Sequence, residues 1–574
     1  MLSARTFWLV ATLLPAARAQ SWTTLVSRGP AVGGSAASRY ADLSHDGRWC
    51  GFASAAVDLV AGDTNNVDDV FVRDALLGAT ERVSVATGGA QASGASLFPA
   101  LSADGRFVAF QSYAPDLVPG DTNGRVDCFV RDRLLGVTER VSVSSSGAQG
   151  VHPATFLQPF ERLQAISADG RFVAFSSLHN NLVPGDTNAT YDIFVRDRAS
   201  GLTERVSLGA GGVQSSGMCW QPAISADGRF VAFGGGGATL VANDFNNASD
   251  VYVVDRASGA LELVSVGLSG VAGALGAGRP ALSADGRFVA FVGAASDYVL
   301  GDTNGVDDAF VRDRLLGVTE RVSVESSGAE SFAPTSQVAL SADARFVAFT
   351  CLGDNLVFGD SDQRYDVFVR DRLALRTTLA SLTDGEQNIP SHVQNGALSG
   401  DGRWIAFHSL DAYAAGDVNF DYDVFVRDRF EDGPASYCAA RASSAGCVAR
   451  AELVGDAQLS TPTPLWIDLV TAQNQRSAAF FYGFAPVSAP YLGGVLCVAP
   501  PLTRTPLAAT GGSPLPTVDC SGAARFDLDA RIAAGVDPLL VTGAELYAQW
   551  FVRDPAGPSG AASFSDALFV RLLP

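Results

Sequence analysis

One segment recurs seven times along the chain, and this repetition limits the available folds more than any other feature. The segment reads LSADGRFVAF or ISADGRFVAF in four of its copies, and the seven copies begin at Leu43, Leu101, Ile166, Ile224, Leu282, Leu340 and Leu398. Neighbouring copies are 58 residues apart, except that 65 residues separate Leu101 from Ile166. A period of this length is typical of repeat architectures in which each unit is one supersecondary structure.

Each repeat contains four segments that we interpret as strands A to D. Strand A ends in A-L-S, strand B is RFVAF, strand C is the VFVRD run and strand D is TERVSV, as at Thr138. The D-G pair between A and B supplies a tight turn. Strand B is apolar on both faces, with Phe107 and Ala109 on one and Val108 and Phe110 on the other, so both faces must be buried. A blade packed between two other blades meets that requirement.

The two ends of the repeat region complement each other. The seventh repeat has no TERVSV-like strand after Arg429, whereas the segment TTLVSR at Thr23–Arg28 resembles a D strand on its own. If this segment completes the last blade, the ring has no open edge. The sequence therefore predicts an all-β fold in which residues 20–430 form a seven-bladed β-propeller, with four strands per blade, closed by the N-terminal strand.

The repeat resembles the TolB-like, WD40-like (PD40) propeller repeats of bacterial envelope proteins. Their signature is S-x-D-G-[RK]-x-[IV]-A-F followed by [IV]-[FY]-V-x-D, and the resemblance covers about residues 20–430. It implies a propeller of a kind that commonly binds proteins in the cell envelope. TolB-like rings often have six blades, so seven copies depart from the family pattern. Fold alone does not determine function.

The first nineteen residues have the three parts of a secretory signal peptide. Arg5 gives a positive start, Phe7–Leu14 is apolar, and Ala17-Arg18-Ala19 is a small-x-small cleavage site. The apolar run is too short to span a bilayer, and we find no later membrane segment. We expect an exported protein in the periplasm, at the cell surface or outside the cell.

Composition excludes several classes of partner and of chemistry. The formal net charge is −20 and the pI about 4.6, which disfavours nucleic acid as a partner. The chain contains no Lys, so Schiff-base and P-loop chemistry are excluded. An acidic surface favours cations, basic proteins or neutral polymers such as glycans.

Every B–C loop contains the pattern D-x-[ND]-x-x-x-D. The triplets are Asp63/Asn65/Asp69, Asp121/Asn123/Asp127, Asp186/Asn188/Asp192, Asp244/Asn246/Asp250, Asp302/Asn304/Asp308, Asp360/Asp362/Asp366 and Asp417/Asn419/Asp423. Oxygen side chains at alternate positions of a tight loop can cage calcium. The loops also resemble those of calcium-binding integrin-type propellers, but they are two residues shorter and lack the central Asp. The alternative is that the first Asp and the Asn form Asx turns while the last Asp caps strand C. Both interpretations leave one face ringed with carboxylates.

Aromatic residues occur near the variable D–A loops of that acidic face. Phe156 and Phe160 lie in the insertion before the third repeat, and Trp220 occupies the approach to the fourth. Aromatic side chains on variable loops can form a recognition patch. They can equally pack the loops against the ring.

A second domain follows a short linker at residues 431–435. Residues 436–574 show alternating runs, including LWIDLV at Leu465 and ARFDLDA at Ala524, which predict a small β-sandwich. Its four cysteines predict two disulfides, and we favour Cys438–Cys447 and Cys497–Cys520 among three pairings. The domain is similar to a C-terminal module of exported bacterial proteins whose role is unknown. Cys50, Cys128, Cys219 and Cys351 are expected to be small buried side chains in the propeller.

The sequence offers two functional hypotheses. The favoured one is a non-enzymatic binding or scaffold protein, a monomer whose acidic loop face binds an envelope protein or a glycan, with calcium as a candidate stabilising ion. The alternative is a propeller-type hydrolase or polysaccharide lyase with its site at the central channel. No G-x-S-x-G elbow is present, and the tail contains no His for a Ser-His-Asp site. A His, Tyr or Arg entering the channel from one blade only would favour the enzyme.

Overall fold

The computed structural model describes most of the repeat region and parts of the tail. Described are residues 23–28, 34–75, 77–151, 164–237, 239–358, 360, 363–383, 388–389, 393–414, 417, 419, 421–429, 435–438, 450–454, 466–472, 477–483, 486–491, 494–498, 503–504, 508–509, 522–534, 537, 545–553 and 562–571. The chain divides after Arg429 into two compact units. The predicted signal peptide lies outside the described residues, as does most of the predicted linker. No helix of the described residues is long and apolar enough to cross a membrane.

In the described part of the first unit, seven four-stranded antiparallel sheets occur, which we call blades 1 to 7. The first described strand is β1 (Thr23–Leu25), which belongs to blade 7. Blade 1 contains β2 (Ser38–Leu43), β3 (Trp49–Ser54), β4 (Asp69–Asp74) and β5 (Thr80–Arg82); blade 2 contains β6 (Ser96–Leu101), β7 (Phe107–Ser112), β8 (Asp127–Asp132) and β9 (Val137–Arg140); and blade 3 contains β10 (Gln164–Ile166), β11 (Phe172–Ser177), β12 (Asp192–Asp197) and β13 (Leu202–Arg205). A small hairpin follows, made of β14 (Leu208–Gly209), a 3-10 turn at Ala210–Gly212 and β15 (Val213–Gln214).

The remaining blades continue the pattern. Blades 4, 5 and 6 contain β16 (Cys219–Ile224), β17 (Phe230–Gly236), β18 (Ser249–Asp255) and β19 (Ala260–Leu263); β20 (Ala277–Leu282), β21 (Phe288–Gly293), β22 (Asp308–Asp313) and β23 (Val318–Arg321); and β24 (Thr335–Leu340), β25 (Phe346–Cys351), β26 (Asp366–Asp371) and β27 (Arg376–Leu379). Blade 7 combines β28 (Gln394–Leu398), β29 (Trp404–Ser409) and β30 (Asp423–Asp428) with β1 from the chain start. Thr23 pairs with Arg427 and Leu25 with Phe425, so the N-terminal segment forms the fourth strand of the last sheet.

The sheets stand around a common axis. First strands of neighbouring blades contact each other in succession, β2 with β6 and onward to β24 with β28, and β28 also contacts β2. The first strands therefore line the axis, and the fourth strands are outermost. This arrangement confirms the predicted β-propeller class.

The second and third strands carry the core, as the two-faced apolar pattern predicts. Val108, Ala109, Phe110, Phe129 and Val130 are fully buried. The rings of Phe110 and Phe129 stack at 5.9 Å between centroids, and equivalent Phe pairs recur in most blades. Large flat side chains on adjacent strands pack the space between blades.

The turn between the first and second strands requires glycine in six of the seven copies. Gly105 has a φ of +68°, and a Cβ there would lie 2.4 Å from Cδ1 of Trp49 in the preceding blade. The sixth copy carries Ala344 at this position with a φ of +57°. The left-handed conformation that Gly accepts freely costs an alanine about 1–2 kcal/mol.

The second unit is rich in strands. They are β31 (Ala435–Cys438), β32 (Arg450–Val454), β33 (Trp466–Ala472), β34 (Ser477–Gly483), β35 (Pro486–Tyr491), β36 (Gly494–Val498), β37 (Thr503–Arg504), β38 (Ala508–Ala509), β39 (Gly522–Asp527), β40 (Glu545–Arg553) and β41 (Ala562–Arg571). Among described residues a six-stranded sheet, a three-stranded sheet and a hairpin form. Phe480 of the larger sheet stacks on Phe526 of the smaller at 4.4 Å, as two layers of a sandwich would.

One predicted strand of this unit is partly wrong. The run ARFDLDA turns from strand to helix at Leu528, where α1 (Leu528–Ala533) begins. The carboxylate of Asp527 accepts a hydrogen bond from the backbone N–H of Ala530 at 2.8 Å, which caps the new helix. An N-cap Asp overrides the alternating pattern at this point.

The cysteines of the propeller match their prediction. Cys50, Cys128, Cys219 and Cys351 are buried and free. Burial raises the pKa of the Cys219 thiol to about 12, so it stays protonated. In the second unit, Cys447 and Cys520 and the side chains of Cys438 and Cys497 lie outside the described part, so the two disulfides stay a prediction.

Candidate functional site

The last Asp of each acidic triplet is the first or second residue of the third strand of its blade and bonds to a Ser that follows or ends the fourth-strand segment. Ser84 Oγ donates to Asp69 Oδ1 at 2.5 Å, and the same Ser-to-Asp bond occurs in the other six blades. In blade 7 the donor is Ser27 from the N-terminal segment. This carboxylate therefore ties the start of the third strand to the outer strand.

The Asn of the triplet shapes the loop. Asn65 Oδ1 accepts the backbone N–H of Val67 at 3.3 Å, and Asn65 Nδ2 donates to Asp69 Oδ2 and to the carbonyl of Ala92, both at 2.9 Å. Asn123 and Asn304 make the same three contacts. These are the hydrogen bonds of the Asx-turn interpretation.

Asn188 and Asn419 brace their loops in a similar way, with fewer of the same bonds. Asn188 Nδ2 donates to the carbonyl of Ser215 at 3.2 Å, while Asn188 Oδ1 is buried without a hydrogen-bond partner in the described structure. Asn419 Oδ1 accepts the backbone N–H of Asp421 at 2.9 Å, and Asn419 Nδ2 donates to the carbonyl of Gly34 at 2.6 Å. The hydrogen bonds of Asn419 are those of the Asx-turn interpretation, and the role of Asn188 and Asn419 as calcium ligands stays a prediction.

An arginine of the fourth strand lies between the two aspartates in blades 1, 2, 3 and 5. In blade 1, Arg82 Nη1 is 3.1 Å from Asp63 Oδ1 and 3.5 Å from Asp69 Oδ2. Equivalent contacts join Arg140 to Asp121 and Asp127, Arg205 to Asp186 and Asp192, and Arg321 to Asp302 and Asp308. The Nη2 groups face the carbonyls of Gly62, Gly120, Gly185 and Gly301 at 3.1–3.4 Å. In these loops a guanidinium occupies the space between the carboxylates that a calcium ion would need.

The other three blades carry leucine at the arginine position. Strand register fixes the equivalence: Arg140 pairs with Phe129, whereas Leu263 pairs with Tyr252, Leu379 with Phe368 and Leu25 with Phe425. In blade 6, Asp360 Oδ1 accepts from Asn388 Nδ2 at 3.2 Å, and Asp362 lies outside the described residues. In blade 7, burial and the neighbouring Asp417 raise the pKa of Asp423 to about 7.

Burial raises the pKa of most of these acids even where arginine is present. The pKa of Asp308 is raised to about 6, chiefly by burial, with Ser323, Asn304 and Arg321 opposing the shift. Burial also raises the pKa of Asp127. Buried carboxylates resist ionisation unless hydrogen bonds and cations compensate fully.

The B–C and D–A loops form one continuous face. At six places the backbone N–H of a D–A loop donates to a side chain near the start of the next B–C loop, as from Ser93 to Asp116 at 3.0 Å and from Phe332 to Asn355 at 3.0 Å. The Asn-to-carbonyl bonds, such as Asn65 to Ala92, tie the same loops from the other side. We call this surface the loop face.

Exposed apolar side chains gather on the loop face of blades 4 to 6. Phe245, Leu300 and Phe358 come from the B–C loops of these blades, and Phe332 comes from the D–A loop between blades 5 and 6. Phe245 and Phe332 are each 74% exposed, Leu300 is 86% exposed, and Phe358 is fully exposed. Sequence reasoning missed them, although Phe245 and Phe332 are aromatic at positions where the other repeats are not, and Leu300 and Phe358 share a position that holds Ala or Pro in the other five repeats.

The predicted aromatic patch is placed only in part. Phe156 and Phe160 lie outside the described residues. Trp220 is a half-buried residue of β16, so its predicted position on a D–A loop is wrong. β16 begins at the same repeat position as β2, β6, β20 and β24, and within it Cys219 and Trp220 pair with Gly235 and Gly234.

The opposite face is held by ion pairs. Arg48 forms a bidentate pair with Asp74, and each other blade has the same pair between its D-G-R turn and its third strand. Arg133 reaches across to the previous blade, where it bonds to Glu81 and lies 3.9 Å from the ring centroid of Trp49. Exposed leucines, including Leu134 and Leu315, occupy the third-to-fourth strand turns of this face.

The wall of the channel differs from blade to blade. The first strands bulge at Tyr40, Phe98, Gln221 and Arg279, which all have positive φ. Tyr40 and Phe98 are in ring contact at 4.2 Å, whereas Arg279 is exposed and donates to the carbonyl of Ser336. The wall therefore has an aromatic sector and a polar sector.

This fold and its loops place the chain in the β-propeller class, with a second β-rich unit. Among solved structures it is similar to TolB from Acinetobacter baumannii (16% identity, 61% of this chain and 65% of that chain, TM-score 0.33) and to a putative TolB from Agrobacterium tumefaciens (17%, 61% and 93%, 0.33). It is also similar to the β-propeller domain of the Trilobed protease from Pyrococcus furiosus (10%, 69% and 96%, 0.42). The chain thus spans slightly less than two thirds of the Acinetobacter TolB. The sequence matches no protein-family model and no curated protein.

Proposed function

We propose that the chain is an exported binding protein whose loop face holds an envelope protein or a glycan. The observation that carries this proposal is the group of exposed side chains Phe245, Leu300, Phe332 and Phe358 among the acidic loops. Large apolar side chains gathered on connecting loops are a mark of interaction surfaces. Aromatic rings of this kind provide most of the contact energy where they are buried by a partner.

The negative charge of the chain limits the kinds of molecule that the loop face can bind. The net charge is −20, and four of the acidic pairs on this face are neutralised internally by arginine. A phosphate-rich polymer would be repelled. A basic protein surface, or the apolar face of a sugar ring with its hydroxyl groups, is complementary to exposed phenylalanine beside acceptor oxygens.

The test uses the full chain without its predicted signal peptide, immobilised and probed with fractionated envelope proteins and with polysaccharides. A variant with Phe245, Phe332 and Phe358 changed to Ser should lose most of the retained ligand. The matched control changes Leu134, Leu315 and Leu316 to Ser on the opposite face, where exposure is similar. Equal retention by the loop-face variant and wild type would contradict the proposal.

A second candidate, an enzyme with its site in the channel, is favoured by one cluster. Arg39 lies 4.6 Å from the ring centroid of Tyr422, and the His408 ring makes edge contacts with Tyr40 at 6.2 Å and Tyr422 at 5.5 Å. The cluster joins Arg39 and Tyr40 of blade 1 to His408 of blade 7, which is buried behind the first strands. Burial, helped by Arg39, lowers the pKa of His408 to about 3, so the ring is neutral.

The chemistry of this cluster is limited by burial. Burial raises the pKa of Tyr40, so the phenol keeps its proton and can donate it. A His with a pKa of about 3 is a weak general base, because the best catalytic bases titrate near the working pH. Turnover of a polysaccharide or peptide panel by wild type, and its loss in Y40F and H408Q, would support the enzyme. Turnover unchanged in both variants would exclude this cluster as its site.

A further inference from the structure

Blade 4 departs from the other blades at the point where they hold arginine. Leu263 replaces the arginine, and Tyr252 replaces the phenylalanine that pairs with it. The Tyr252 hydroxyl donates to Asp244 Oδ2 at 2.6 Å. Ser265 Oγ donates to Asp250 Oδ1 at 2.5 Å, as its equivalents do elsewhere. These neutral donors leave the two carboxylates without a cation among the described residues.

The oxygens left over are the ones that bind arginine in the other blades. Asp244 Oδ1 and Asp250 Oδ2 are buried and have no hydrogen-bond partner within the described structure. Their counterparts in blade 3, Asp186 Oδ1 and Asp192 Oδ2, lie 3.0 and 3.2 Å from Arg205 Nη1. Asp244 is 3% exposed and Asp250 is fully buried. Leaving a buried carboxylate oxygen unpaired is costly, so the site favours a positively charged occupant.

We propose that Asp244 and Asp250 bind a calcium ion in the place that a guanidinium fills in blades 1, 2, 3 and 5. The ligands would be Asp244 Oδ1, Asp250 Oδ2 and the carbonyl of Asn243, with water completing the shell. Asn243 is the equivalent of Gly62, Gly120, Gly185 and Gly301, whose carbonyls face the arginine Nη2 groups. This proposal does not depend on the partner of the loop face.

The donor set selects the ion. Only oxygen ligands are available, and within the described residues no group of three His, Cys, Asp or Glu side chains could hold a metal. Oxygen-only sites suit hard cations, and calcium tolerates an irregular shell better than magnesium does. Two carboxylates balance the charge of one divalent ion. The proposal therefore assigns calcium to the leucine-bearing blade 4 and not to the arginine-bearing blades 1, 2, 3 and 5.

The ion can reach the site through the B–C loop. Phe245 and Asn247 on either side of Asn246 are exposed, and Asp244 lies directly before them. Asn246 Oδ1 accepts from the backbone N–H of Ala248 at 2.8 Å, and its Nδ2 donates to the carbonyl of Gly273 at 2.7 Å. The loop is thus a preformed turn over the two carboxylates.

Reciprocal substitutions test the proposal on the full chain without its predicted signal peptide. L263R copies blade 3 into blade 4 and supplies the missing guanidinium. R205L copies blade 4 into blade 3 and vacates a site. D244N removes one ligand charge with little change in shape. Bound calcium is counted by equilibrium dialysis after chelator treatment, and terbium luminescence sensitised by Tyr252 reports the site directly, because the Tyr252 hydroxyl touches Asp244.

We expect L263R and D244N each to bind one calcium fewer than wild type and to lose terbium emission. R205L should bind one calcium more. Calcium should raise the Tm of wild type by more than that of L263R, because binding only to the folded state stabilises it. Sites in blades 6 and 7, which also carry leucine, cancel in these differences. Unchanged stoichiometry in L263R and D244N would overturn the proposal. If L263R does not fold, D244N and R205L decide: no loss in the first, or no gain in the second, overturns it.

Discussion

The arginine of the fourth strand should be among the most stabilising charged residues of the propeller. Arg140 is the example: its side chain is 8% exposed, and its partners Asp121 and Asp127 are 4% and 0% exposed. Arg140 also bonds to Gln149 Oε1 at 3.1 Å and faces the carbonyl of Gly120 at 3.4 Å. R140L places at this position the leucine that blades 4, 6 and 7 carry naturally. It leaves the two buried carboxylates, Asp121 and Asp127, without their cation.

The expected cost follows from burial. Removing one partner of a buried ion pair destabilises a protein by about 3–5 kcal/mol, because the other charge stays behind. The matched control is R229L on the opposite face, where the arginine side chain is 50% exposed and that of its partner Asp255 is 14% exposed. Surface pairs contribute about 0–1 kcal/mol, so this variant should cost far less.

The assay is urea unfolding of both variants and wild type in chelator near neutral pH, followed by circular dichroism and tryptophan fluorescence. Chelator is needed because an arginine-free pair could take up a cation. R140L should lower the free energy of unfolding by about 3–5 kcal/mol and R229L by about 1 kcal/mol or less. Equal costs for the two variants would refute the argument that burial sets the value of this arginine.

Three further predictions concern pH, backbone strain and thiols. Burial raises the pKa of Asp250 and Asp308 to about 6, above the value in the unfolded chain, so the free energy of unfolding should increase by about 1 kcal/mol per group as pH falls from about 7.5 to about 5. L263R should remove the contribution of Asp250. An unfolding free energy that does not change over this pH range would contradict the prediction. Ala344→Gly should stabilise the fold by about 1 kcal/mol because it relieves a left-handed alanine, whereas Gly105→Ala, which brings a Cβ against Trp49, should destabilise it in the same thermal unfolding assay. Alkylation under denaturing, non-reducing conditions should label Cys50, Cys128, Cys219 and Cys351 but none of Cys438, Cys447, Cys497 and Cys520, and a label on any of the last four would contradict two disulfides.

Much of the propeller could be predicted from the sequence because period and pattern agree. The apolar second strand, the D-G turn and the orphan segment at Thr23 each had one arrangement that satisfied burial and pairing. Thr23 lies opposite Arg427, within the range that the missing fourth strand indicated. The register of the strands can be predicted from a repeated sequence, because every copy must make the same backbone hydrogen bonds.

The arginine that binds the acidic loops was not predicted, although the sequence contained a signal for it. Asp127 and Phe129 share one face of β8, and Arg140 lies opposite Phe129, so Arg140 and Ser142 face the same side as Asp127. The loop sequence by itself resembles a metal-binding pattern. The outer strand supplies an arginine to the loop in four repeats and a leucine in the other three.

Other features depend on contacts between repeats that no pattern within one repeat reports. The left-handed bulges at Tyr40 and Phe98 come from packing of first strands around the axis. Trp220 lies in β16 opposite Gly234, and the absence of a side chain at Gly234 leaves space for the indole ring. The exposed rings of Phe245 and Phe332 each occur in one repeat, so the repeat pattern does not predict them.

The central claim is that the loop face, and not the channel or the opposite face, contacts the ligand. A photo-reactive phenylalanine analogue placed singly at Phe358 of the loop face, at Gln337 of the axis-lining strand β24 and at Leu315 of the opposite face samples the three surfaces in turn. After mixing with the retained envelope fraction and irradiation, cross-linked product should form from position 358 and not from 337 or 315. Cross-linking from Gln337 alone would move the site to the channel, and cross-linking from Leu315 alone would move it to the opposite face; either result would contradict the account.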